Sequence, residues 1–102
     1  MHGRVVSVQV EPAKLGEAVE LYRDSVVPAA RDQDGFRGAV LLTDPESGNA
    51  ISVTLWDSEE DLIRGQESGF YQEQLAKFAD YLIRIPDQQG YEISVMSLTD
   101  GL

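Results

Sequence analysis

The sequence predicts an α+β fold in the order β-α-β-β-α-β, an antiparallel sheet with two helices on one face. Three observations predict it. Four short segments carry the β-branched, alternating patterns of strands. Two longer segments repeat apolar residues at helical spacing. A turn rich in Asp, Pro, Gly and Asn joins two of the strand segments directly, which makes them a hairpin.

Arg4 to Val10 reads as the first strand, Val-rich with polar Ser7 and Gln9 interleaved. Pro12 sits near a helix start, where its missing N–H costs little. Leu15, Ala18, Val19, Tyr22, Val26 and Ala29 or Ala30 then fall at helical spacing. Pro28 should bend or end this helix late, and Asp34-Gly35 is a stop signal. Phe36 to Thr43 reads as the second strand and Ala50 to Trp56 as the third, joined by Asp44-Pro45-Glu46-Ser47-Gly48-Asn49. Ser58-Glu59-Glu60-Asp61 resembles a capping box, with Ser58 as N-cap and Asp61 in the place usually held by Glu or Gln. The helix it opens should break near Ser68-Gly69, continue through Phe70, Tyr71, Leu75, Phe78, Ala79 and Leu82, and stop before Pro86. On such a helix Glu73 would pair with Lys77 and Asp80 with Arg84. Gln88-Gln89-Gly90 reads as a turn and Tyr91 to Met96 as the last strand. This order is the ferredoxin-like, or split βαβ, arrangement.

One feature goes beyond the element order. The first strand carries Val on both faces, at Val5 and at Val6, Val8 and Val10. The third carries Ile51, Val53 and Leu55 on one face and Ser52, Thr54 and Trp56 on the other. Helices cover only one face, and the second is too apolar to face water. It is expected to pack against a second copy, most simply in a two-fold homodimer.

Composition narrows the function. The chain has 102 residues, 8 Lys plus Arg against 18 Asp plus Glu, and a net charge of −10. Its length suits a single domain over residues 1–102. The charge repels a phosphate backbone, so nucleic acid is not an expected partner. No apolar stretch is long enough to span a bilayer, no basic run could dock on an anionic one, and no signal-peptide pattern opens the chain. Cysteine is absent, which excludes disulfides, zinc fingers, iron–sulfur ligation and thiol catalysis. A cytoplasmic address is the simplest expectation.

Leu55-Trp56-Asp57-Ser58-Glu59-Glu60-Asp61-Leu62, with Gly35-Phe36 before the second strand and Ser68-Gly69-Phe70-Tyr71 in the later helix, completes a pattern. The chain resembles the antibiotic-biosynthesis-monooxygenase type of domain in the dimeric α+β barrel superfamily, over roughly Val5 to Val95. The resemblance implies a dimeric barrel and, as in the quinone-forming members, a site where a polycyclic phenol reacts with O2 without metal or flavin. Trp56 matches a pocket Trp of the quinone-forming members. Ser52 stands where they carry Asn, Leu62 where they carry Tyr, and Ala76 and Lys77 near their Arg. Haem-degrading members fit poorly, because Leu75 stands where their axial His would be, and His2 is the chain's only histidine.

Trp56, Ser52 and Thr54 share a strand face and are pocket candidates, as are Ser7 and Gln9 on the first strand. Tyr22, Phe70 and Tyr71 are the helix-side aromatics expected to meet that face. The acids Asp57, Glu59, Glu60 and Asp61 sit at a helix start, where the macrodipole favours negative charge, and are not read as a metal site. No cofactor is expected. No nucleophile–base pair or phosphate loop is visible, so no catalytic residue is assigned. The expected ligand is a small apolar or aromatic molecule, oxidised by the protein; the alternative is a non-enzymatic dimer that simply binds such a molecule or serves as an assembly protein.

Overall fold

The computed structural model describes residues 1–99. Its strands are β1 (His2–Gln9), β2 (Phe36–Thr43), β3 (Asn49–Trp56) and β4 (Asp87–Glu92). They form one antiparallel sheet in the order β2-β3-β1-β4. The helices are α1 (Leu15–Leu21), α2 (Val27–Arg31), α3 (Glu59–Glu67) and α4 (Phe70–Ala76). This is the α+β, ferredoxin-like arrangement expected from the element order.

Local chemistry sets the joints. Asp44 ties the β2–β3 turn by accepting from the Glu46 amide and the Ser47 hydroxyl. Gly48 closes that turn at φ 79°. Only glycine fits there, because a Cβ would lie 1.8 Å from the Val10 carbonyl oxygen. Ser58 caps α3, accepting from the Asp61 amide at 3.2 Å and donating to the Asp61 carboxylate at 3.0 Å. Gly69, at φ 85°, separates α3 from α4 and turns the chain so that α4 lies over the sheet.

Four details depart from the sequence reading. Pro28 does not end the first helical run, which continues to Arg31. A π turn over Tyr22–Val26 precedes it, with the Val27 amide donating to the Tyr22 carbonyl. The widened turn accommodates a residue that offers no N–H to the carbonyl four residues back. The later helix stops at Ala76, and residues 77–81 continue in tight turns. Phe78 and Leu82 still pack on the Val10, Leu15 and Ala18 cluster, which is why their spacing reads as helix. With the helix ended, Lys77 bonds Ser25 and Gln74 in place of Glu73, and Arg84 pairs with Asp87 in place of Asp80. The last strand is Asp87–Glu92, so Gln88-Gln89-Gly90 is strand and not turn. It satisfies the open edge of β1 by backbone bonding, and its polar side chains suit an exposed sheet edge.

The two sheet faces differ as the pleat requires. Arg4, Val6 and Val8 of β1, with Ala50, Ser52, Thr54 and Trp56 of β3, turn toward the helices. On the far face the registers Val40–Val53–Val5 and Leu42–Ile51–Ser7 form two rows across three strands. Val40 and Leu42 are 48% and 53% exposed there.

Candidate functional site

A cavity of ≈ 110 Å³ lies between the sheet and the helices. Its floor is Arg4, Val6, Val8 and Val10 from β1 and its end, with Ala50, Ser52, Thr54 and Trp56 from β3. Its roof comes from Leu15, Ala18, Val19, Tyr22 and Val26 on one side and from Phe70, Tyr71, Gln74 and Leu75 of α4 on the other. The lining is almost wholly apolar, with a few polar atoms at defined places, the usual construction of a small-molecule site.

Six of the eight residues singled out from the sequence, Trp56, Ser52, Thr54, Tyr22, Phe70 and Tyr71, line this one cavity. Ser7 and Gln9 do not. Successive strand side chains point to opposite faces, and β1 turns Arg4, Val6 and Val8 inward. Ser7 and Gln9 therefore stand on the far face, opposite Ile51 and Asn49. Because β1 carries Val at both parities, its composition alone leaves the inward set open.

Trp56 is only 1% exposed. It meets Phe36 edge-on at 5.5 Å between ring centroids, and its indole N–H donates to the Thr54 hydroxyl at 3.0 Å. It is both core packing and cavity wall. The Tyr22 and Ser52 hydroxyls bond each other at 2.8 Å across the helix–sheet gap. Burial pushes the Tyr22 pKa up, and the Ser52 hydrogen bond only partly opposes this. Tyr22 is therefore a neutral phenol at neutral pH, able to donate or accept.

Two polar residues of the site were not singled out from the sequence. Gln74 is buried in the cavity wall, its carbonyl oxygen accepting from Lys77 at 2.7 Å. Arg4 is 3% exposed and lines the cavity. Its Nη2 donates to the Leu62 carbonyl at 2.9 Å, its guanidinium lies 4.5 Å from the Tyr71 ring centroid, and its Nε has no partner. Burial lowers the Arg4 pKa, with Tyr71 acting in the opposite direction, yet a guanidinium keeps its charge. Burial likewise raises the Tyr71 pKa, against the pull of Arg4. Arg4 shares its face with Val6 and Val8, but with β1 apolar at both parities no sequence signal marks that face as the inward one.

Two of the acids before and within the first turn of α3 form ion pairs. Asp61 pairs with Arg64 at 2.6 Å and Asp57 with Arg37. Among the described residues no group of three or more His, Asp or Glu is placed to hold a metal ion. No helix among them is long and apolar enough to cross a membrane.

Comparisons with known proteins agree with this architecture. The family model for antibiotic biosynthesis monooxygenase matches residues 1–77. An uncharacterised protein of Mycobacterium tuberculosis is 35% identical over 65 residues, 63% of this chain and 28% of its own. This chain thus matches little more than a quarter of that relative's length. Among solved structures, a monooxygenase from the gene ActVA-Orf6 of Streptomyces coelicolor, in complex with nanaomycin D, superposes with a TM-score of 0.71. It is 21% identical, over 97% of this chain and 92% of that one. SnoaB, a cofactor-independent oxygenase from Streptomyces nogalater, gives a TM-score of 0.71 at 11% identity, over 93% and 94% of the two chains. At these identities the structural likeness is one of fold.

Proposed function

Because this chain belongs to the antibiotic biosynthesis monooxygenase family, we propose that its cavity carries out a cofactor-independent, monooxygenase-like oxidation of a small aromatic, phenolic or enolic compound. The observation that carries this reading is the cavity itself, apolar on nearly every wall, with the Tyr22–Ser52 pair and Trp56 at its surface. Apolar walls hold rings, and a few fixed polar groups orient them. In such a reaction an ionised phenol or enol supplies the electron pair to O2. A carbon–oxygen bond forms, and loss of water from the hydroperoxide leaves a carbonyl. One methylene and one O2 become one carbonyl and one water, with no outside reductant. Trp56, Phe70 and Tyr71 would wall the ring, Tyr22 and Ser52 would re-aim their shared hydrogen bond at the substrate oxygen, and Thr54 would hold the indole in place.

Oxygen uptake with an anthrone and a panel of polycyclic phenols tests the reading. Turnover is expected in the wild type, with a clear fall in Tyr22→Phe and in Trp56→Phe. No uptake over the whole panel, with its carboxylated phenols included, by a correctly folded protein would reject the oxygenase reading.

The working unit in this proposal is a single-domain protomer in a homodimer, joined through the far sheet face of Val5, Val40, Leu42, Ile51 and Val53. An apolar patch of that kind is what a two-fold interface buries. Sedimentation at micromolar concentration should give twice the chain mass, and a folded monomer would reject it. A cytoplasmic location fits a chain without cysteine.

One observation favours a second reading, a dimer that binds a small apolar molecule without turning it over. The hydroxyl and indole groups of the wall bond each other, Tyr22 with Ser52 and Trp56 with Thr54, and Leu62 stands where the quinone-forming members carry Tyr. Ligand binding without oxygen uptake would select this reading.

A further inference from the structure

The acid–base balance of the chain makes Arg4 conspicuous. Carboxylates outnumber basic side chains 18 to 8, and ion pairs engage Lys14, Arg23, Arg37, Arg64 and Arg84 at or near the surface. The one buried arginine has no carboxylate partner among the described residues. Its compensation is one carbonyl, that of Leu62, and the face of Tyr71. A buried charge ordinarily requires an opposite charge with good hydrogen-bond geometry. A cation–π contact and a single neutral acceptor are slight compensation for a guanidinium, and its Nε is buried without any partner. This side chain also forms part of the cavity wall, on the same inward face as Thr54, its register partner on β3.

We infer that Arg4 is the anchor for a ligand carboxylate, so that the cavity takes a small aromatic or enolic acid, with its ring on the apolar walls and its carboxylate on the guanidinium. Arg4 has only donors to offer and therefore selects an acceptor. A carboxylate is fully ionised at neutral pH, whereas a phenol, with a pKa of about 10, arrives neutral and still carrying its own donor. The planar guanidinium also matches a carboxylate with two parallel bonds, which a single phenolic oxygen cannot use. The inference deepens the cavity reading above, but it concerns recognition and not turnover. It therefore stands or falls separately from oxygen uptake.

The test exploits Trp56, the chain's only tryptophan, whose indole N–H gives a single resonance from within the cavity wall. Titrations at neutral pH compare benzoate with benzamide, and 1-naphthoate with 1-naphthamide and 1-naphthol. The acids should bind roughly tenfold tighter, or more, than their uncharged analogues, the worth of a desolvated charged hydrogen bond. In Arg4→Gln this preference should fall to about one while the amides bind as before. In Arg4→Lys part of it should remain, because charge is kept and the two-pronged geometry is lost. A merely structural arginine would change all affinities together and leave the ratio alone. Equal binding of acid and amide by the wild type, tighter binding of 1-naphthol than of 1-naphthoate, or an unchanged ratio in Arg4→Gln would each overturn the inference. So would failure of both acids to bind. The wild-type ratios alone decide the matter if the Arg4 variants do not fold.

Discussion

Truncating Trp56 to alanine measures how far this fold and its cavity are one object. The side chain is 1% exposed, packs edge-on against Phe36, and spends its only donor on Thr54. Removing it deletes one of the two most completely buried large side chains and enlarges a void that already exists. Buried aromatic-to-alanine changes cost about 3–5 kcal/mol. A domain of this size has only about 5–15 kcal/mol in total, so about a fifth of its stability or more should go. At roughly 4–8 °C per kcal/mol the melting temperature should fall by roughly 12–40 °C. Urea unfolding followed by far-ultraviolet circular dichroism is the suitable assay, because the variant loses the chain's only indole fluorophore. Trp56→Phe keeps most of the burial and gives up the Thr54 hydrogen bond, so its loss should be about 1–2 kcal/mol. That milder variant is the one to use in ligand and oxygen assays. A loss below about 1 kcal/mol for Trp56→Ala would refute the reasoning, because it would mean that the ring hangs in open space and packs nothing.

Three further outcomes follow from local chemistry. Ser58→Ala removes the α3 cap and should cost about 1 kcal/mol in urea unfolding, with a value near zero arguing against the cap. Gly69→Ala and Gly48→Ala both force a side chain into a left-handed backbone, costing about 1 kcal/mol or more. Gly69 has open space around it, whereas a Cβ at Gly48 collides with the Val10 carbonyl, so Gly48→Ala should be clearly the worse of the two; equal losses would contradict the turn geometry. Hydrogen bonding from Arg64 and then Ser58 holds the Asp61 pKa below its ordinary 3.8, and bonding from Ser47 and Glu46 does the same for Asp44. Depressed carboxyl values stabilise the fold fully above 3.8 and lose that contribution as pH falls through the folded-state values. Asp61→Asn should therefore flatten the acid limb of a stability–pH curve, and an unchanged limb would rule the linkage out.

What the sequence revealed and what it hid share a physical origin. Element order, the Asp44–Asn49 turn, the Ser58 cap and the break at Gly69 are written in residues whose local chemistry is strong. The end of α4 is not, because Phe78 and Leu82 keep helical spacing while packing from a chain of tight turns. β4 is hidden for the opposite reason, since Gln88-Gln89-Gly90 has turn composition but is held as strand by the open edge of β1. In the cavity, Trp56, Ser52 and Thr54 fall together because β3 alternates clearly. Arg4 stays hidden because β1 is apolar at both parities, so composition does not say which set turns inward. Long-range register settles it, with Arg4 opposite Thr54 and Ser7 opposite Ile51.

The surplus of acid on this chain and a site for an anion are compatible. At physiological ionic strength the Debye length is about 8 Å, so most exposed carboxylates act weakly on a group enclosed between sheet and helices. Arg4 would act on a bound carboxylate at contact distance, from a side chain that is itself 3% exposed. A polyanion lies along a surface and meets the acidic shell at many points, so net charge argues against nucleic acid. A monoanion inside the cavity meets one cation whose neighbours are the apolar side chains of β1, the Leu62 carbonyl and the Tyr71 ring. Net charge thus describes the shell, and the pleat of β1, by turning Arg4 in and Val5 out, decides the sign of the interior.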